Sequence, residues 1–241
     1  SKYELNTMSI INELDFNSSK LSIGLMNSVD KDVGNIKEIK HTDVFSQWQG
    51  LIGTNELSVG ARIIDHDKFS SHTTYNFNWA RDLSASLRLN GSYGIATNLP
   101  NHYQNNLNLT RSQTALKPEH SKNLELGLSG DYEWGSTELK FYKSKVKDAF
   151  SYLDPDGNWQ TDNAYYINDG VVNIQGVELV LGTELMGWDL DSSLNFNKAI
   201  AKSTDLQKGR RPNRTVSLNL SKSSGKWKRN INWTARSWAW D

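Results

Sequence analysis

The chain has 241 residues, no cysteine, four prolines, and 27 basic residues against 27 acidic ones. The lack of cysteine excludes a disulfide scaffold, a cysteine-based zinc site and a thiol nucleophile. The zero net charge argues against a nucleic-acid binder, which needs excess positive charge to displace counterions from phosphates. The apolar fraction is only 37%, yet there are 9 Trp, 9 Tyr and 7 Phe. That aromatic content argues against a disordered chain.

Apolar and polar residues alternate along most of the chain, as in segment 57–63, where Leu, Val, Ala and Ile alternate with Ser, Gly and Arg. Such alternation predicts strands. About twelve segments show it: 3–16, 20–29, 40–53, 55–67, 70–82, 83–94, 121–133, 136–150, 165–185, 187–202, 211–222 and 226–240. Several reach ten residues, which is the length a tilted strand needs to cross a bilayer. No run approaches 18 apolar residues, so the sequence predicts no membrane-spanning helix.

The predicted connections alternate in length. Tight turns are predicted at 53–55, 134–136, 186–187 and 223–225, and long polar loops at 95–120, 151–164 and 200–210. Short turns at one end and long loops at the other are typical of outer-membrane barrels. Trp134, Trp188, Trp227, Trp238 and Trp240 fall at strand ends, as in an interfacial aromatic girdle. The sequence therefore predicts an all-β, antiparallel transmembrane β-barrel segment over residues 1–241.

The polar positions of the alternation carry charged side chains, among them Arg62, Arg88, Glu125 and Asp131. A charge on the lipid-facing side of a barrel costs a few kcal/mol near the bilayer centre. We therefore expect these positions to face a wide, water-filled interior.

Four segments resemble, in order, those of TonB-dependent outer-membrane receptors. They are 91–100, which reads GSYGIATNLP; 116–128, which begins Leu-Lys-Pro-Glu; 173–179, with Gly-Val-Glu-Leu; and 209–214, with Arg-Pro. Among the subfamilies, the sequence over 44–80 and 116–240 is most similar to the cobalamin (vitamin B12) receptors. The resemblance assigns structural roles to its motif residues, which are Leu116, Lys117, Pro118, Glu119, Gly176, Glu178, Arg211 and Pro212.

The resemblance implies a bacterial outer-membrane receptor that binds a scarce, large ligand and imports it when TonB pulls on a plug. Cobalamin is the first candidate, and a siderophore or haem is next. Family barrels have 22 strands, a plug and a TonB box, so this chain is expected to be about twelve strands of a larger barrel, without a plug. A small self-closed barrel is the other possibility. We expect no cofactor, no nucleic acid and no enzyme activity; the partners implied are outer-membrane lipid, lipopolysaccharide and TonB acting through the plug.

The ligand-binding candidates come from the predicted loops. Polar and aromatic side chains there can bind a ligand at the extracellular mouth, and the residues selected are Asn98, His102, Tyr103, Trp159, Tyr165 and Tyr166. The loop at 154–159 has an Asp-x-Asp-Gly order but lacks the spacing of a calcium loop, so turn chemistry is favoured. The five histidines have no paired spacing, so we expect no metal site.

Two further questions stay open at this level. Lys143, Lys145 and Lys147, with Lys140 nearby, fit either contact with anionic lipopolysaccharide or a charged strand end above the bilayer, and the second is favoured. The alternative to a transport barrel is a soluble all-β module that binds a ligand or carbohydrate through exposed aromatic residues. The two differ in whether the apolar side chains face lipid or a buried core.

Overall fold

A computed structural model of the chain describes residues 3–32, 37–158, 163–209 and 211–239. Within these residues there are fifteen strands and one helix. The strands are β1 Tyr3–Phe16, β2 Ser19–Asp32, β3 Lys37–Ile52, β4 Asn55–His66, β5 Ser70–Ser84, β6 Leu87–Asn98, β7 Glu119–Tyr132, β8 Gly135–Lys147, β9 Phe150–Leu153, β10 Tyr165–Asn168, β11 Val171–Leu185, β12 Trp188–Ala201, β13 Leu206–Gln207, β14 Arg214–Ser224 and β15 Trp227–Arg236, and the helix is α1 His102–Thr110.

Twelve of the described strands form one continuous sheet in the order β1-β2-β3-β4-β5-β6-β7-β8-β11-β12-β14-β15, and β13 pairs with β12 at one end. Each neighbouring pair is antiparallel. The short strands β9 and β10 form a separate hairpin. The all-β prediction and the predicted number of long strands are confirmed, and the antiparallel order follows chain order because tight turns link strands pairwise.

The structure differs from the predicted elements at three places. The segment predicted as one strand over 165–185 is two strands, β10 and β11, because the chain turns at Gly170, whose φ is +64°. Such a conformation favours glycine and interrupts the ladder. The predicted loop 95–120 contains helix α1, which begins at a capping box formed by Asn101 and Gln104. The predicted strand over 83–94 begins later, at Leu87, after a two-residue turn.

The strand registers place the apolar positions on one face of the sheet, here called the apolar face. Leu128, Leu139, Leu179, Leu194 and Val216 are consecutive cross-strand partners along one rung. Many large side chains of this face are more than 36% exposed in the chain on its own. Exposed apolar surface of this extent marks a partner or a membrane.

The opposite face, here called the polar face, is concave. A cavity of about 970 Å³ is lined by residues of strands as far apart as β2 and β8, including Lys20, Ser58, Asn78, Asn90 and Lys140. Adjacent strands lie about 4.8 Å apart, so six steps of a flat sheet would separate β2 from β8 far too widely for one cavity. The sheet therefore curves around its polar face, as the wall of a barrel does.

Tight turns join the strands at one end of the sheet, here called the short-turn end. The turn between β11 and β12 consists of Met186 and Gly187, both with positive φ (+54° and +73°), which is the hairpin geometry that follows the twist of a sheet. At the other end, the loop end, long connections run over 99–118, 148–170 and 202–213. The predicted segregation of loop lengths is thus observed in the described part of the chain.

Aromatic side chains mark the short-turn end. The rings of Tyr132 and Trp134 stack with centroids 5.2 Å apart, and Lys222 Nζ lies 5.8 Å from the ring of Trp188. Trp227 opens β15 at the same level, whereas Trp238 follows β15 at the loop end. Trp240 lies outside the described residues. Helix α1 has nine residues, and the described residues contain no helix that is long and apolar enough to cross a membrane.

Candidate functional site

The loop between β6 and β7 crosses the loop end of the polar face. Its helix α1 carries His102, whose side chain is 5% exposed and whose Nε2 lies 3.3 Å from the backbone oxygen and 3.6 Å from the carboxylate of Asp30. Asp30 belongs to β2, four strands away from β6 in the sheet. The contact therefore holds the helix across the opening of the curved sheet.

Asn108 joins the other side of α1 to the β9–β10 hairpin. Its side chain is fully buried. The amide oxygen accepts from the backbone N–H of Tyr166 at 2.9 Å, and the amide nitrogen donates to the carbonyls of Tyr166 at 2.8 Å and Thr114 at 3.0 Å. The Asn108 side chain thus takes the place of a neighbouring strand on one side of Tyr166. It satisfies the N–H and the carbonyl of Tyr166, because backbone groups that are buried without a partner cost free energy.

The Leu-Lys-Pro-Glu segment is held by the same loops. The side-chain amide of Asn168 donates to the carbonyls of Lys117 and Asp148 and accepts from the N–H of Lys117, at 2.7–2.9 Å. The carboxylate of Glu119 accepts from the N–H of Phe150 at 2.5 Å and from the amide of Asn98 at 2.7 Å. This motif therefore ties β6, β7 and the start of the hairpin together.

Three tyrosines meet above these anchors. The ring of Tyr166 lies 5.3 Å from that of Tyr152 and 6.4 Å from that of Tyr103, with both pairs edge-on. Tyr103 and Tyr152 are 57% and 58% exposed. Burial, followed by the neighbouring Tyr103 and Tyr152 phenols, raises the pKa of Tyr166 above its ordinary value. We call Tyr103, Tyr152 and Tyr166 the tyrosine cluster.

A cavity of about 370 Å³ lies beside this cluster, lined by Tyr165, Tyr166, Leu116 and Lys117 among others. Leu116 is the buried apolar side chain of this lining. The mouth of the sheet thus offers flat aromatic rings, a hydrogen-bonding backbone and a small recess, which suits a ligand with both flat apolar and polar parts.

The structure brings some of the predicted ligand-binding residues together. Tyr103, Tyr165 and Tyr166 lie at the mouth, whereas Asn98 and His102 contact Glu119 and Asp30 and hold the loop. Trp159 lies outside the described residues. Ligand contact by any of the six stays a prediction.

Sequence reasoning missed Tyr152 as a member of the cluster, and Asn108 and Asn168 as the anchors. Tyr152 sits opposite Tyr166 in the β9–β10 pairing. The short alternation around 150–153 could have found this hairpin. No local signal distinguishes Asn108 from the other asparagines near it.

The remaining motif residues lie within the sheet. Gly176 of β11 is partnered by Tyr142 of β8, whose ring fills the space that a side chain at 176 would need. The Tyr142 hydroxyl donates to Asn195 at 3.3 Å. Glu178 is the cross-strand partner of Lys140 on the polar face. The backbone oxygen of Pro212 accepts from Asn197 at 3.0 Å, and that of Arg211 from Gln207 at 3.2 Å.

Charged side chains on the polar face are paired across strands. Arg88 of β6 contacts the carboxylates of Glu56 and Asp82, and Lys20 of β2 contacts Glu13 at 3.1 Å. The fully buried carboxylate of Asp43 contacts Arg62 and, at 3.0 Å, His41. Two of the charges predicted for the polar face, Arg62 and Arg88, are therefore paired with carboxylates of nearby strands.

Histidines also approach one another, with the rings of His41 and His66 stacked 6.1 Å apart and those of His72 and His120 5.4 Å apart. The described residues nevertheless contain no group of three or more side chains that could hold a metal ion.

Residues 10–241 match the family model described as "TonB dependent receptor-like, beta-barrel". The chain belongs to this family. Members of the family are outer-membrane β-barrel proteins, receptors and transporters rather than enzymes, as the sequence predicts. This membership favours the barrel over the soluble all-β alternative.

Individual relatives extend this picture. The chain is 27% identical to the vitamin B12 transporter BtuB of Photobacterium profundum over 197 residues, which is 81% of this chain and 29% of the relative. The copper transporter OprC has the same fold with a TM-score of 0.77 and 16% identity, over 96% of this chain and 44% of OprC. The siderophore receptor PirA of Pseudomonas aeruginosa has a TM-score of 0.75 and 16% identity, over 98% of this chain and 46% of PirA. The chain thus spans less than half the length of these relatives.

Proposed function

We propose that this chain is a segment of the barrel wall, resembling the C-terminal half, of a receptor in the bacterial outer membrane. That receptor takes up a scarce, large ligand through TonB acting on a plug, in the complete family member. The tyrosine cluster over the concave polar face carries the proposal, because it places exposed aromatic rings where an external ligand would first meet the barrel.

Cobalamin is the first candidate ligand, and a siderophore or haem is next. The relative that transports vitamin B12 supports cobalamin, and the siderophore receptor of similar fold supports the second class. Corrin and porphyrin rings are large and flat, so edge and face contacts with tyrosine rings suit them. We propose Tyr103, Tyr165 and Tyr166 as contact residues from the original set and add Tyr152. Asn98, His102 and Trp159 remain candidates.

The motif residues support this site indirectly. Glu119, through Phe150 and Asn98, and Lys117, through Asn168, hold the two long loops in register with the sheet. Leu116 lines the recess beside the tyrosines. We therefore propose that the Leu-Lys-Pro-Glu segment positions the loops rather than touching the ligand.

Equilibrium binding of cyanocobalamin, a ferric catecholate siderophore and haemin to the purified protein in detergent tests this proposal. The double variant Tyr103→Ala/Tyr152→Ala should weaken binding of the correct ligand by about thirtyfold, since two aromatic contacts contribute on the order of 1 kcal/mol each. Tyr132→Ala removes a tyrosine at the short-turn end and should change nothing. Undetectable binding of all three ligands, or unchanged binding by the double variant, would contradict the proposal.

A further inference from the structure

Five lysines lie on the apolar face at the loop end, just above the apolar band, and one arginine lies level with the uppermost apolar rung. They are Lys122 of β7, Lys143, Lys145 and Lys147 of β8, Lys198 of β12 and Arg214 of β14. All are exposed. The sequence shows only the three on β8 as a series; the other three join them through strand pairing. Lys140, close in sequence, lies on the opposite, polar face, where it contacts Glu138 at 3.4 Å.

The pairing brings like charges side by side. Lys122 and Lys145 are direct cross-strand partners, and Lys143 and Lys198 flank Gln175 on the next rung. Like charges directly opposite one another destabilise a sheet. In the described part of the chain, none of these four lysines has a carboxylate within 4.0 Å. We call Lys122, Lys143, Lys145 and Lys198 the lysine cluster.

On strands β2 and β3, the lysines at the loop end of the apolar face are paired with a carboxylate. Lys31 of β2 and Lys40 of β3 lie at the loop end too, but both contact Glu38, at 2.8 and 3.0 Å. A charged rim that served only hydration would have no reason to pair its lysines on one side and leave them unpaired on the other. The described chain provides no anion for the lysine cluster, so we expect the anion to come from another molecule.

A groove of about 780 Å³ runs from this cluster into the apolar band. Lys143 and Lys198 line its upper part, and Leu126, Phe141, Phe196 and Arg214, the cross-strand partner of Phe196, line its lower part. The rung of Leu126, Phe141, Val177 and Phe196 lies directly below the lysines. One molecule with a phosphate head and hydrocarbon tails matches both parts, because lysine binds phosphate as a point charge and the rings bury the chains.

We propose that the lysine cluster and this groove bind one outer-leaflet lipid through its phosphate groups, with its acyl chains on Phe141 and Phe196. This site rests on the proposed function, because the apolar face of an outer-membrane barrel wall meets lipid. It assigns a fixed site to one sector of the barrel wall, from β7 to β14, rather than a uniform contact around the rim.

Lipid binding to the purified protein in a neutral detergent, followed by native mass spectrometry, tests the site. The probes are bisphosphorylated lipid A and the same lipid without its phosphates. The first should bind at least about tenfold more tightly, and Lys143→Gln/Lys198→Gln should abolish most of that difference, since each lysine near an anionic headgroup contributes about 1 kcal/mol. The matched control Lys31→Gln/Lys40→Gln removes two paired lysines from the same face and should keep the preference.

Equal affinity for the two lipids would overturn the site, and so would an equal loss in both double variants. Complete displacement of lipid A by inorganic phosphate would also overturn it, by showing a small-anion site with no part for the groove. Should the double variant fail to fold, Lys122→Gln alone relieves the pair with Lys145 and should still lower the preference severalfold. Binding of cyanocobalamin in the same samples reports on the uptake proposal separately.

Discussion

The two ends of the sheet are built in different ways. At the short-turn end, two-residue hairpins close each strand pair, and neighbouring aromatic side chains such as Tyr132 and Trp134 stack locally. At the loop end, three polar side chains hold long loops in place: Asn108, Asn168 and Glu119 contact backbone groups 58, 51 and 31 residues away. Local sequence therefore determines the structure of the short-turn end, whereas long-range hydrogen bonds from a few side chains determine the structure of the loop end.

This difference predicts different responses to mutation. A backbone group whose only partner is one buried side chain loses that partner completely when the side chain changes. The hairpin ladder at the short-turn end has many equivalent bonds, so no single side chain decides it. Single changes at the loop end should therefore act strongly but locally, and changes among exposed charges on the polar face should act weakly.

Asn108→Leu should have the largest effect. The volume is nearly kept, but three hydrogen bonds to Tyr166 and Thr114 are lost, at a cost of roughly 3 kcal/mol. Hydrogen exchange should accelerate in 102–110 and 165–168 while the long strands keep their protection. Asn173→Leu, an amide on β11 within the sheet, serves as the control. Unchanged exchange in both loop segments would show that Asn108 does not hold them.

Glu119→Gln should have the next largest effect. The carboxylate accepts from two donors, Phe150 N–H and the Asn98 amide, and a glutamine can place an oxygen toward only one of them. The expected cost is about 1–2 kcal/mol, seen as faster exchange of the Phe150 amide. Glu184→Gln makes the same change at the short-turn end and should leave that amide unaffected. If both variants behave alike, the motif has no anchoring role.

Arg88→Met should have a smaller effect. Arg88 contacts Glu56 and Asp82 on the polar face, but all three side chains are at least 36% exposed. Exposed pairs contribute about 0–1 kcal/mol, so the free energy of unfolding in urea should fall by no more than about 1 kcal/mol, and by less at high salt. A loss above about 2 kcal/mol would mean that the polar face is a dry core instead of a wetted lining.

The smallest effect concerns Tyr166. Burial is the main cause of its raised pKa, and the phenols of Tyr103 and Tyr152 add to it. Because the neutral form is favoured in the fold, its contribution to stability is present below the ordinary tyrosine pKa of about 10 and is lost as the pH rises through the folded pKa. Ultraviolet titration of Tyr103→Phe/Tyr152→Phe should show Tyr166 ionising at lower pH than in the parent. If Tyr166 ionises at the same pH in the double variant and in the parent, the three rings are not in contact.

The same contrast explains what the sequence predicts and what it does not. Alternation from Leu124 to Leu128 identifies a strand because each side chain's face depends only on its position. The break at Gly170 and the helix at 102–110 do not follow the alternation of strands, so periodicity missed both, although the positive φ of Gly170 and the Asn101–Gln104 capping box are local features. Tyr103 and Tyr166 could be selected as mouth residues from composition, whereas their partner Tyr152 and their anchor Asn108 required the fold.

Site-directed spin labelling tests most directly whether the apolar face meets lipid and the polar face lines water. The chain has no cysteine, so single cysteines can be placed without further change. Labels at Leu126, Val177 and Leu218 should be reached by oxygen dissolved in lipid, and labels at Asn90, Glu125 and Ser193 by a water-soluble nickel complex, in protein reconstituted into liposomes. Equal access of the nickel complex to both sets, or protection of the first set from both reagents as in a soluble core, would show that the apolar face does not meet lipid.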